Sequence, residues 1–225
     1  MRFTVQTQAG PRSLDIDIDR LVIAGWTGRD VQAMEHHIQE LEALGIPRPA
    51  RTPMFYRVAA ARLGVFDSVQ SPGEASSGEV EFMLLRHAGR VYVGVASDHT
   101  DREVEAYSVT VSKQMCDKPC ADTLWPLEEV HAHWDRLLLH SWIREHGRMT
   151  RYQSGPATTM LDPAALLEDM AGFEPFENGT AVLGGTLAAI GGVRPSERFE
   201  FELEDPLLKR SIRGGYDIVP LPLRG

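Results

Sequence analysis

The chain predicts an α+β fold made mainly of β-structure, read as one domain over residues 1–225. Three observations predict it. Short segments with period-two alternation recur from end to end, bounded by Gly and Pro. Helical spacing is confined to a few stretches, and there is no repeat, linker or low-complexity tract. Hydrophobic residues make up 43% and charged residues 24%, which is the balance of a chain that buries a core.

Phe3–Gln8 and Leu14–Ile18 alternate around Gly10-Pro11 and read as a hairpin. The Leu21–Gly25 run reads as a buried strand. Asp30 to Leu44 reads as helix, with Val31, Met34, Ile38 and Leu41 three and four apart and Gly45 and Pro47 as its stop. Pro47 to Pro53 is extended loop, and Met54–Val58 is a short strand. Ser71–Gly78 reads as loop and turn. Glu79–Leu85 and Arg90–Ala96 form a second hairpin through Ala88-Gly89, and Val104–Ser112 is strand-like. Leu127–His146 carries apolar residues at helical spacing. Pro163–Met170 is a helix with Asp162 as N-cap and proline at its first position. Ala181–Leu187, Arg198–Leu203 and Tyr216–Leu221 are late strands.

A net charge of −9 with no basic stretch argues against nucleic acid and anionic membrane as partners. The first residues are polar and strand-like, and no apolar run reaches the ~18 residues a spanning helix needs. Cys116 and Cys120 give no disulfide framework, so a reducing cytoplasm is expected.

Glu79-Val80-Glu81 carries the chemistry. Residues i and i+2 of a strand share a face, so the two carboxylates lie roughly 7 Å apart along it. The hairpin returns the chain to them at Ser97-Asp98, and Asp98 makes a third acid. Three converging carboxylates need a cation, or else a proton on one of them. Hard oxygen donors suit Mg²⁺ first, then Mn²⁺ or Ca²⁺. The alternative reading of the Glu pair is a solvated strand face.

These residues resemble the fumarylacetoacetate hydrolase-like superfamily, close to a bacterial family of uncharacterised proteins within it. The likeness rests on Glu79-Val80-Glu81 and on Ser97-Asp98-His99-Thr100-Asp101-Arg102-Glu103-Val104-Glu105. Looser matches are Ala24-Gly25-Trp26, His37-Ile38-Gln39-Glu40 and Pro53-Met54-Phe55-Tyr56. The resemblance implies a mixed β-sandwich or roll with short peripheral helices and a homodimer. It implies Glu79, Glu81 and Asp98 as ligands of a divalent cation, with Arg102, Gly185 and Thr186 on the substrate side. Lys113 would stabilise an oxyanion or hold a carboxylate, and His37, oriented by Glu40, would activate water. The implied activity is metal-dependent hydrolysis or lysis of a C–C bond in a 1,3-dicarbonyl or 2-oxo acid. A decarboxylase or isomerase of oxo acids, or a non-catalytic small-molecule or metal-binding protein, is the alternative.

The sequence departs from the family pattern. Asp101 stands where a small residue is usual, and Glu103 and Glu105 replace Asp and Gln. The added negative charge disfavours a dianionic substrate unless Arg102, Lys113 or a lid arginine offsets it. Gly28-Arg29-Asp30 and the helix before His37 resemble an insertion in the lid. Among other signals, His131 and His133 with Asp135 or His140 fail as a zinc set, because i and i+2 do not share a helix face. The glycine pairs do not follow phosphate-loop spacing, and no Gly-x-Ser-x-Gly is present. Trp125, Trp134 and Trp142 read as core or interface anchors, and Tyr152–Gly155 as a polar turn near the pocket.

Overall fold

The computed structural model describes residues 1–43 and 48–224, apart from the side chains of His37, Glu40, Leu41 and Ala43. An eight-stranded mixed sheet runs in the order Gly10–Asp15, Arg2–Thr7, Thr123–Pro126, Arg90–Ser97, Val80–His87, Thr180–Thr186, Arg20–Gly25, Met54–Val58. A five-stranded sheet runs Arg148–Pro156, Leu138–Glu145, Arg198–Asp205, Arg210–Leu221, Ser68–Pro72. Within these two sheets three pairings are parallel and link distant segments: Arg2–Thr7 with Thr123–Pro126, Thr180–Thr186 with Arg20–Gly25, and Arg210–Leu221 with Ser68–Pro72.

Period-two alternation places the core on both faces of the larger sheet. Val80, Phe82, Leu84, Val93 and Val95 point toward the five-stranded sheet and share a cluster with Leu139, Phe199, Phe201 and Tyr216. Met83, Leu85, Tyr92 and Ala96 point the other way, into a cluster with Phe3 and Val5 from one end of the sheet and Tyr56 and Val58 from the other. Residues from both ends share one core, so the sheet curls around it, as in a roll. Phe82 is fully buried and meets Trp134 edge-on at 5.0 Å; burying such a ring contributes about 2–3 kcal/mol. A side chain on Gly184 would enter the same ring, since its Cβ would lie 2.0 Å from Phe82 Cζ.

The hairpin that carries the acids forms as the sequence predicts. Val80 pairs with Ser97 and His87 with Arg90, and the turn residues Ala88 and Gly89 have φ of 49° and 75°. Two positive φ values in a two-residue turn match the right-handed twist of the strands. The segment Val104–Ser112, expected as strand, is instead parts of two helices, Arg102–Tyr107 and Val109–Met115. Local capping outweighs its β-branched composition: Asp101 accepts from Val104 N–H at 2.9 Å and Ser108 from Val111 N–H at 3.4 Å. Leu127–His146 is also corrected. It is one helical turn over Leu127–Val130, a 3₁₀ segment over His131–Arg136 and the strand Leu138–Glu145. Leu139, Ser141 and Ile143 are buried on one face of that strand, which pairs on both sides. Ser71–Gly78 likewise holds the end of the Ser68–Pro72 strand and the two-residue strand Ser76–Ser77. Pro163–Met170 is the expected helix, with Asp162 accepting from Ala164 and Ala165 N–H. Among the described residues no helix is long and apolar enough to cross a membrane.

Candidate metal centre

The Arg90–Ser97 strand ends where its partner begins, and the ladder continues one step further: Asp98 N–H donates to Glu79 O at 2.9 Å. This contact sets Asp98 beside the Glu pair. One carboxylate oxygen from each of Glu79, Glu81 and Asp98 lies within 4.8 Å of the others. It is the one such group among the described residues. Glu79 precedes the strand and is half-buried, whereas Glu81 and Asp98 are buried. Glu81 faces the inner side of the roll, on the same face as its partner Ala96.

Each acid has its own support. Glu81 Oε2 accepts from Gly185 N–H at 2.7 Å. Burial and the nearby Asp98 charge push its pKa well above the ordinary carboxylate range. Asp98 is fully buried, and burial alone would raise its pKa; Lys113 and Lys118, through charge and hydrogen bonds, override that and hold it well below the usual range. Lys113 bonds Asp98 Oδ2 and lies 3.9 Å from Glu79 Oε2. Lys118 lies 3.0 Å from Asp98 Oδ1 and donates to His99 O at 2.5 Å. Lys113 is charged: although burial opposes it, Asp98, Glu79 and Glu81 raise its pKa. Its ammonium also lies 5.9 Å from the centre of the Tyr56 ring.

Glu79 is held by Arg102, whose Nη2 lies 3.1 Å from Glu79 Oε1 off the ideal hydrogen-bond direction. The rest of that guanidinium is fixed by Ser77 Oγ at 2.7 Å and Glu105 Oε2 at 2.8 Å. Thr186 Oγ1 donates to Val80 O at 2.7 Å and accepts from Gln153 Nε2 at 2.8 Å. His37 and Glu40 belong to the helix Val31–Ala43, but their side chains lie outside the described residues.

Several supporting residues escaped the sequence reading. Lys118 lies two residues from each of the buried Cys116 and Cys120, and that period-two placement is the signal that marks it as inward-facing. His99 is buried between Ser71 Oγ at 3.1 Å and Tyr216 OH at 2.9 Å. Burial, reinforced by Lys118 and Arg102, pushes its pKa down to about 3, so the ring is neutral. Tyr216 OH also bonds Ser97 Oγ at 2.8 Å, and Ser97 Oγ accepts from Glu79 N–H at 3.3 Å. A polar chain thus runs from the second sheet to the backbone of the first acid.

Gln153, expected in a polar turn, lies buried in the Arg148–Pro156 strand. Its Oε1 accepts from Val80 N–H at 3.0 Å and Ser141 Oγ at 2.9 Å, and its Nε2 donates to Thr186 Oγ1 and to Leu187 O at 2.6 Å. Gln153→Leu keeps the volume but strands Val80 N–H and Leu187 O, so a loss of about 3 kcal/mol is expected, read as a lower urea midpoint at unchanged slope. The histidines set aside for zinc are engaged elsewhere, His133 with Asp205 at 3.0 Å and His140 with Glu204 at 3.3 Å. Cys116 and Cys120 are buried and not disulfide-bonded, and burial pushes the Cys120 thiol up to about 12.

The donor set fits a hard divalent cation: three carboxylates on two adjacent segments, two of them buried, with oxygens already converged. Comparison with known proteins agrees on the fold. A yeast protein, ynq8, of the fumarylacetoacetate hydrolase family is similar at 17% identity and a TM-score of 0.65, covering 92% of this chain and 97% of that one. A 2-keto-3-deoxy-D-arabinonate dehydratase complexed with magnesium and 2,5-dioxopentanoate is similar at 15% identity and a TM-score of 0.66, covering 96% and 79%. The 4-oxalocrotonate decarboxylase of Pseudomonas putida G7, complexed with calcium and acetate, is similar at 16% identity and a TM-score of 0.58, covering 92% and 78%. No curated protein matches the chain. The fold is therefore fumarylacetoacetate hydrolase-like, as the residues around Glu79 and Asp98 implied. The family model described as a protein of unknown function, DUF2848, matches residues 24–216, and the chain belongs to that family.

Proposed function

We propose that this protein is a metal-dependent enzyme that cleaves a C–C bond in a 2-oxo acid or 1,3-dicarbonyl, as a hydrolase or lyase. The observation that carries the reading is the convergence of Glu79, Glu81 and Asp98 within 4.8 Å in a largely buried, charge-compensated setting. The magnesium, calcium and oxo-compound complexes of the similar structures support it. Glu79, Glu81 and Asp98 hold the cation, Mg²⁺ before Mn²⁺ or Ca²⁺. When bound, it supplies Lewis acidity toward the oxygens of a chelating substrate.

The chain's own residues do the rest. Lys113 and Lys118 keep Asp98 ionised and fixed, and Gly185 N–H orients Glu81. Lys113 stays protonated and acts as a positive charge beside the developing oxyanion, not as a base. His37, with Glu40 three residues on, takes the proton from water. Decarboxylation of an oxo acid uses the same ligands and needs no such base, and the decarboxylase among the similar structures favours it as the second reading.

The test pairs a turnover screen of acylpyruvates and oxaloacetate under Mg²⁺ with Mn²⁺ titration of wild type, Glu81→Ala and Asp98→Asn. Mn²⁺ affinity is expected to fall roughly a hundredfold or more in each variant, with turnover lost, since removing even an outer partner of a ligand costs 10–100-fold. Unchanged turnover in Glu81→Ala rejects the scheme.

A further inference from the structure

Among the described residues, every basic side chain at the centre is already committed to a carboxylate. Lys113 is paired with Asp98 and Glu79, and Lys118 with Asp98. Arg102 is paired twice, with Glu79 at 3.1 Å and Glu105 at 2.8 Å, and Ser77 takes its Nε. Asp101, buried next to them, caps the following helix. Arg57 and Arg51, on and just before the Met54–Val58 strand that carries Tyr56, are occupied elsewhere: Arg57 faces Glu174, and Arg51 lies over Phe55, whose ring packs in the core opposite that of Tyr56. Three cations thus face four carboxylates, counting Glu81 as a ligand, before Asp101 is added. A divalent ion brings this balance to one net positive charge, or to neutrality once Asp101 is counted, so a single anionic group on the substrate meets at most that one charge and no uncommitted cation is left for a second.

We propose that Glu105 sets the substrate charge: by occupying Arg102 it makes that arginine a positioning residue for Glu79, and the centre takes a 2-oxo acid or dicarbonyl with one carboxylate and an uncharged remainder in preference to a dianion. This rests on the cation site proposed above. Glu105 lies three residues after Arg102 on one helix, so the pair forms within the first turn. A glutamine there keeps an oxygen for Arg102 Nη1 and removes only the charge.

The experiment measures binding of 2-oxohexanoate and 2-oxoglutarate to the Mn²⁺-loaded full chain by water-proton relaxation. The two ligands share the chelating end and differ in the remote carboxylate. Wild type is expected to favour 2-oxohexanoate by roughly tenfold or more, and Glu105→Gln to cut that preference at least about fivefold, with Mn²⁺ affinity held within about twofold. Glu103→Gln removes the same charge from an exposed neighbour on that helix and is expected to leave the preference unchanged. A wild type that favours 2-oxoglutarate, or binds both ligands equally or neither, overturns the proposal. So does an unmoved ratio in Glu105→Gln, or an equal shift in Glu103→Gln. Failure of wild type to bind Mn²⁺ instead removes the cation site itself, and this proposal with it.

Discussion

Lys118→Met is expected to destabilise the protein by about 3 kcal/mol, the cost of leaving a buried carboxylate with half its compensation. Lys118 and Asp98 are both without solvent exposure, 3.0 Å apart. The lysine also satisfies His99 O, so its loss orphans a buried carbonyl as well. Methionine fills the space but donates nothing. For a chain of this length the change corresponds to a Tm lower by roughly 6–12 °C, measured by calorimetry. The pH dependence has a definite sign. Asp98 has a depressed folded-state pKa, so its stabilisation is present above the unfolded value and is lost as pH falls through the folded one. With only Lys113 left the depression is smaller, and acid unfolding of the variant begins at a higher pH than in wild type. A variant with wild-type Tm and acid midpoint would show that Lys118 is not the counter-charge the geometry makes it.

Gly185→Ala is the second large effect. Gly185 has φ of +96°, where L side chains are rarely found, and its Cβ would lie 1.9 Å from Thr27 Oγ1. That hydroxyl is buried and donates to Gly184 O at 3.0 Å, so it has no free direction to move. Backbone strain and overpacking, each about 1–3 kcal/mol, act together. The peptide also carries the N–H that orients Glu81, so Mn²⁺ affinity is expected to drop at least about tenfold alongside stability. Gly192→Ala is the control: its φ is +87°, but the added Cβ meets nothing within 4 Å, and a cost near 1 kcal/mol with unchanged Mn²⁺ binding is expected. Equal effects in the two variants would reduce the Gly185 argument to backbone strain alone.

The acid hairpin was legible because its information is local. Alternation fixes which side chains share a face, the turn at Ala88-Gly89 fixes the register, and the register returns Asp98 to Glu79. The segments 104–112 and 127–146 misled for opposite reasons. In the first, β-branched residues sit on helices started by the Asp101 and Ser108 side chains, with Tyr107 88% exposed. In the second, leucines and tryptophans fall at helical spacing by chance, and pairing on both strand edges decides the outcome. The compensating charges were harder to read. Lys118 reaches Asp98 through a two-residue parallel pairing with Leu63–Gly64, a contact no local pattern announces. Tyr216 comes from the second sheet and is hidden for the same reason, whereas Tyr152–Gly155 reads as a segment near the pocket but as a turn, without the strand from which Gln153 reaches Val80. Three acids without a cation looked untenable in the sequence; the two buried lysines supply much of what was missing.

The parallel pairing of Thr180–Thr186 with Arg20–Gly25 wedges the later segment between two much earlier ones, the second being Val80–His87. During synthesis the hairpin with its three acids, and then both lysines, leave the ribosome well before the glycine that orients the middle acid. Until residue 185 emerges, an interior position of the larger sheet stays vacant, with hydrogen-bonding edges on either side of the gap. Completion of the ligand shell is thus tied to the closing of that gap, and an unfinished chain carries Glu81 without the N–H that aims it.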